Sequence, residues 1–184
     1  MVRQRKVLDV DALRSKENEE LSKLSSKFSG VRKLHSNPAI YDVTECDSRN
    51  QKIEHHGVLI GTRVLIEPKF DRIKLVCDDN FIVATLHSNG EKRNFLYNRH
   101  GEIVFKNFVA YRGGFFFSYD FPKAEKKSTC SVKGLKVYGR NLALLNFDYE
   151  ISSYEIFKKL NGENAIKIYP KGNKEPRIYR YGSN

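Results

Sequence analysis

At 184 residues, with Lys and Arg outnumbering Asp and Glu by 33 to 22, the chain has room for one folded body with an appendage and too little for two large independent cores. Its 40% hydrophobic content, rich in Phe and Tyr and without Trp, suffices for a core, while 30% charged residues predict a water-facing surface. No window approaches the roughly eighteen apolar residues of a membrane span, and basic Arg3, Arg5 and Lys6 lead into no apolar signal segment, so the expectation excludes secretion and membrane insertion.

The net charge of +11 favours polyanionic partners, either nucleic acid or an acidic protein face, although an excess of Lys also serves solubility alone. Cys46, Cys77 and Cys130 are odd in number, far apart and outside any CxxC or Cys/His cluster. That pattern indicates neither a disulfide framework nor zinc, and points to a reducing, cytoplasmic setting, or to a host cytoplasm or virion if the chain is phage-encoded.

In chain order, residues 1–6 form a basic arm. Asp9 or Asp11 can cap an amphipathic helix that runs to Gly30 as its C′ residue, with Lys27 in the last turn. At 100° per residue, Val10, Leu13, Leu21, Leu24 and Phe28 share one narrow arc. This seam can dock on the chain's own body or on another chain.

From Asn37 and Pro38 onward the period changes to alternation, which sets the start of a β domain near residue 37. The run AIYDVTE followed by HGVLIG predicts a hairpin with a polar loop. Between FIVATL and FLY, Asn89 and Gly90 give a strong hairpin-turn signal. Further on, YRGGFFFSYDF predicts a strand with Phe115, Phe117, Tyr119 and Phe121 on one face, taken as core, and Phe116, Ser118 and Asp120 on the other. Its expected partner is LALLN, reached after a long basic insertion that carries Lys123, Lys126, Lys127, Lys133, Lys136 and Arg140. The remaining segment is basic as well, with Lys158, Lys159, Lys167, Lys171, Lys174, Arg177 and Arg180.

An internal repeat organises these elements. Residues 70–98 align without a gap over 154–182, matching Lys74 with Lys158, Asn80 with Asn164, Asn89 with Asn173, Arg93 with Arg177 and Tyr97 with Tyr181. The alignment favours extended structure at 154–160, a stretch that alone reads as a helical turn. The expected fold is therefore mainly β: about four antiparallel hairpin units, at 37–62, 63–98, 99–146 and 147–182, stacked or curled into one body after an N-terminal helix.

The unit defined by Val64, Leu65, Ile66, Pro68, Phe70, Asp71 and Ile73, then residues 81–86, then Phe95, Leu96, Tyr97 and Asn98, resembles the degenerate β repeats of bacterial and phage WG-repeat proteins. The likeness covers about residues 37–181, and no Trp-Gly pair occurs in it. It implies a binding scaffold and supplies no catalytic residues.

His55 and His56 beside Glu54 invite a metal or acid–base reading, but neighbours on a strand point to opposite faces and no third ligand follows at useful spacing. Asp78 and Asp79 read as turn residues, and Asp71 and Glu155, equivalent in the repeat, as structural ones. No nucleophile triad, P-loop or dinucleotide fingerprint appears. The expectation is a protein without catalytic residues, cofactor, metal or small-molecule substrate. It engages an acidic macromolecule through Arg112, Lys123, Lys126, Lys127, Lys133, Lys136, Arg140, Lys158 and Lys159. Around Arg112, the run YRGGF also combines Arg, Gly and aromatics as single-strand binders do. The alternative is an accessory subunit of a larger assembly, such as a phage particle, attached through the helix.

Overall fold

The computed structural model describes residues 10–48, 50, 53–119, 134–146, 149–172 and 175–180, with the side chains of 10–14 and 17 outside that description. One helix, α1 (Val10–Ser25), precedes fourteen described strands. The strands form four antiparallel sheets: β1 (Gly30–Ser36) to β4 (Arg63–Phe70), β5 (Arg72–Val76) to β8 (Ile103–Phe105), β9 (Phe108–Arg112) to β11 (Leu135–Tyr138), and β12 (Ile151–Lys158) to β14 (Arg177–Arg180). In every sheet the spatial order follows the sequence order, as a succession of hairpins requires. The chain divides into two compact units, residues 1–73 and 74–184, the division falling within β5.

In the first unit the helix ends at Ser25, three residues before the Phe28 to which its sequence extends it. Gly30 is not its C′ residue but the first residue of β1, and the last turn carries Lys23 rather than Lys27. The chain turns directly into the sheet, where the Ser29 amide and hydroxyl both donate to the Thr44 carbonyl, at 2.9 and 2.8 Å. The sheet therefore starts at residue 30, not 37. Leu24 is buried against Tyr41, Val43 and Leu59, with Leu21 and Phe28 beside it. These three positions of the helical seam thus pack on the chain's own sheet; Val10 and Leu13 lie outside the described side chains. Within that sheet, β2 (Ala39–Cys46) and β3 (Glu54–Ile60) form the hairpin expected from AIYDVTE and HGVLIG, with Ile40 opposite Ile60.

In the second unit, β6 (Phe81–Ser88) and β7 (Glu91–Asn98) meet at a two-residue turn, with Ser88 opposite Glu91. Asn89 and Gly90 both have positive φ, 53° and 76°, the backbone a tight hairpin turn requires. Strands β9 and β10 (Phe115–Tyr119) turn in the same way through Gly113 and Gly114.

The Phe-rich strand β10 is buried on both faces, where alternation suggested one. Phe115 and Phe117 pack with Leu135, Val137, Ile151, Ile166 and Ile168, joining this sheet to β12–β14. On the opposite face, Phe116 packs with Cys77, Leu96 and Phe108, joining it to β5–β8. Phe116 is fully buried, with the rings of Tyr111 and Phe81 at 4.9 and 5.0 Å. The second unit is thus three sheets face to face, and the β10 sheet is the middle layer. Phe121 and Asp120 lie outside the described residues.

The strand partner of β10 is LKVY, β11, not LALLN. LALLN contributes one bridge, Leu144 to Tyr138, and the buried Asn146. The Asn146 side chain accepts from the Val137 amide at 2.9 Å and donates to the Leu135 carbonyl at 3.0 Å, doing for β11 what a further strand would do. Shifting β5, β6 and β7 by the repeat offset lands on β12, β13 (Asn164–Pro170) and β14, so residues 154–158 are extended. The register is not conserved, however. Ile82 faces Tyr97, whereas Ile166 faces Tyr179 rather than Tyr181, a slip of two residues that keeps every side chain on its own face.

Candidate binding surface

The basic residues singled out in the sequence fall into three groups. Lys123, Lys126, Lys127 and Lys133, the centre of the long basic insertion, lie outside the described residues, as does Lys174. Lys136 and Arg140 sit around β11. Lys136 is half-buried opposite Ser118, on the face of β11 that carries Tyr138, and the Arg140 guanidinium approaches Asp78 at 3.7 Å. Arg112, Lys158 and Lys159 belong to a different edge of the unit.

Gly113 brings that last group together. Its backbone lies so close to β12 that a Cβ there would stand 2.5 Å from Ile156 Cγ2, and its φ of 58° is disfavoured for side-chain-bearing residues. Arg112 precedes this contact on β9 and is exposed. Ala110, two residues earlier on the same face, packs into the shared core with Ile156, so Arg112 projects toward β12. Lys158 is exposed, two residues beyond Ile156 on the same face of its strand. Lys159 follows at the turn. Beyond it, Leu160 is fully exposed, and an open depression of about 510 Å³ is lined by Lys158, Lys159, Leu160 and Asn161. Arg112 and Lys158 thus flank the seat of Gly113 on Ile156, and Lys158 with Lys159 lines a depression beside an exposed apolar tip.

The outer face of the last sheet adds Lys167, whose ammonium stands 5.0 Å from the centre of the Tyr169 ring, while the Tyr169 hydroxyl donates to Glu155 at 3.2 Å. Glu155 is thereby a cross-strand partner of the aromatic ring.

The histidine pair splits as adjacent strand residues must. His56 Nδ1 lies 2.8 Å from Asp42 Oδ1, and Arg32 donates to the other oxygen of the same carboxylate at 2.6 Å. Asp42 is only 3% exposed. A buried carboxylate needs this compensation, and Arg32 with His56 supplies it. His55 lies on the other face, its Nε2 3.8 Å from Asp47. Among the described residues no three His, Cys, Asp or Glu side chains converge to hold a metal ion. Cys46 and Cys77 are free thiols, and Cys130 lies outside the described residues.

Asp78 and Asp79 belong to a turn in which Cys77, Asp78 and Asp79 all have positive φ, and Arg99 fastens it by donating to the Asp79 carbonyl at 2.9 Å. They serve the turn.

Sequence reasoning missed Asp42, Arg32 and Asn146. A charged residue inside the apolar run IYDV was the signal available for Asp42. The other two are set by register, which the sequence alone leaves open.

Among the described residues no helix is long and apolar enough to cross a membrane. No protein-family model, no curated protein and no solved structure matches the chain.

Proposed function

We propose that this is a non-enzymatic binding protein whose second unit engages an acidic macromolecule, on a scaffold of WG-repeat-like sheets. The observation that carries the reading is where the charge lies. Residues 74–184 hold 19 Lys and Arg against 11 Asp and Glu, or +8 of the net +11, whereas residues 1–73 hold 14 against 11. Within that unit Arg112, Lys158 and Lys159 gather around the seat of Gly113 on Ile156, next to an exposed apolar tip. Clustered cations on a rigid sheet attract polyanions and release their counterions on binding. The accessory-subunit alternative has less support, because Leu21, Leu24 and Phe28 of its attachment helix already pack on the chain's own sheet.

The test is binding to a short DNA duplex and to polyglutamate across a salt series. Lys158→Glu with Lys159→Glu is expected to weaken binding and to lower the salt slope on DNA by roughly 2, about one per lost phosphate contact. The same reversal at Lys126, Lys127 and Lys133 tests the insertion. Affinity unchanged by both sets, or no binding to either polyanion, overturns the reading.

A further inference from the structure

The hairpin of β12 and β13 ends in a tip that the repeat does not explain. Leu160 has its whole side chain in solvent, at 110% relative exposure, whereas no other exposed large apolar side chain described exceeds 56%. Its repeat counterpart, Val76, packs on the cluster around Phe116, and Cys77, the counterpart of Asn161, is buried in that cluster. The earlier turn is thus covered by the middle layer, while the later one keeps an aliphatic residue without cover. The tip is also held in shape. The Lys159 amide donates to the Glu163 carbonyl at 2.9 Å, the Gly162 amide to the Lys159 carbonyl at 2.9 Å and the Glu163 amide to the Asn161 side chain at 3.1 Å, with Gly162 at a φ of 81°. A closed turn of this kind presents Leu160 with little backbone freedom left to lose on binding.

Lys158 and Lys159 stand at the base of the tip, and Glu163 stands across the turn, on the limb that leads into β13. Among the described residues Lys171 is paired with Glu150 at 3.0 Å, whereas neither Lys158 nor Lys159 has an ion pair. A lone aliphatic side chain beside unpaired cations narrows the choice of acidic partner. Phosphates and carboxylates offer a leucine nothing, and an acidic protein must supply a ready-made apolar pocket for it. Duplex DNA offers both contacts at every step: base pairs that part to admit an aliphatic wedge from the minor groove, and phosphates beside them for the lysines.

We propose that the β12–β13 tip binds duplex DNA by wedging Leu160 between base pairs from the minor groove while Lys158 and Lys159 hold the flanking phosphates. The proposal rests on the reading that this unit engages an acidic macromolecule, and it names that macromolecule. The probe is a duplex of about 20 base pairs with a dye at each end and a central TA step, which kinks easily, compared with the same duplex carrying a central mismatch. The parent protein is expected to raise energy transfer between the ends, and to bind the mismatched duplex about tenfold more tightly because its bases are already partly unstacked. Leu160→Ala, a change in a side chain wholly in solvent, is expected to lose both effects while the salt slope stays that of the parent, since the phosphate contacts remain. Lys158→Glu with Lys159→Glu lowers the slope instead. DNA binding without a change in energy transfer, or a Leu160→Ala variant that bends and discriminates as the parent does, would overturn the wedge and leave the basic-surface reading standing. Binding to polyglutamate without binding to DNA would do the same. Leu160-dependent binding to phosphatidylserine vesicles that is tighter than binding to DNA would overturn the wedge in favour of a lipid surface. Absence of binding to both DNA and polyglutamate would remove both readings.

Discussion

The two units close the faces of their sheets by different means. In residues 1–73 a helix lies over the face that carries Tyr41, Val43 and Leu59, and one side chain, Leu24, goes to the bottom of that contact. In residues 74–184 the faces are closed by other sheets, and the middle layer is buried on both sides by consecutive Phe residues. A helix needs only a stripe of apolar residues to cover a sheet, whereas a middle layer must be apolar throughout. The unit with the heavier core also carries most of the excess positive charge. Rigid stacking and a basic rim coexist there because one uses strand faces and the other uses strand ends and turns.

Truncating the aromatic centre of the middle layer is the hardest blow to this arrangement. Phe116→Ala removes a fully buried ring that contacts Phe81 and Tyr111, and is expected to cost ~3–5 kcal/mol. Denaturant unfolding should show the loss, and hydrogen exchange should place it in β9–β11. The matching truncation in the first unit, Leu24→Ala, should cost less, ~2–4 kcal/mol, and should release α1 selectively. Equal costs, or loss of β1–β4 protection in the Leu24 variant, would mean that the helix is as integral to its sheet as the middle layer is to the stack.

A smaller change tests the side chain that, with the Leu145 amide donating to the Val137 carbonyl, completes the edge of β11. Asn146→Ala leaves the Val137 amide and the Leu135 carbonyl without their side-chain partner. An expected loss of ~1–3 kcal/mol follows from the unmet buried groups. Asn146→Asp keeps an acceptor for Val137 but sets an uncompensated buried carboxylate against the Leu135 carbonyl, so it should cost at least as much as the alanine change. If Asn146→Ala unfolds at the parent denaturant concentration, the edge of β11 is satisfied by other means.

These particulars show what the sequence made legible. The hairpin at Asn89 and Gly90 could be read because its turn demands positive φ at both residues, a local requirement. The repeat placed β12, β13 and β14, yet it could not fix the β13–β14 register, because a slip of two residues leaves the inside–outside pattern unchanged. LALLN drew the assignment as an apolar run, whereas the alternating LKVY is the strand that pairs with β10, and that pairing is a tertiary choice. Phe116 was assigned to an outer face because alternation marks which residues share a face, not whether a second layer covers it. On the binding surface, the cations were legible as a charge excess. The gathering of Arg112 with Lys158 depends on the seat of Gly113 on Ile156, a tertiary contact without a local signal. Asp42, Arg32 and His56 come from three different strands and meet only through register.

The mildest test concerns Tyr97 on β7, buried at 7% exposure, where burial pushes its phenol pKa up. In the unfolded chain the phenol titrates near its ordinary value of about 10. A folded pKa above the unfolded one means that the native state holds the proton more tightly. The resulting contribution is fully present below about pH 10 and is lost as pH rises through the folded value. Tyr97→Phe cannot ionise, so the difference in urea-unfolding free energy between parent and variant should be constant from about pH 7 to 9 and then shift in the variant's favour. Taking the difference cancels the lysines, which also titrate in that range. A difference that stays flat through pH 11 would mean that the ring ionises as easily folded as unfolded, and that the sheet carrying Tyr97 admits more water than the middle layer around Phe116.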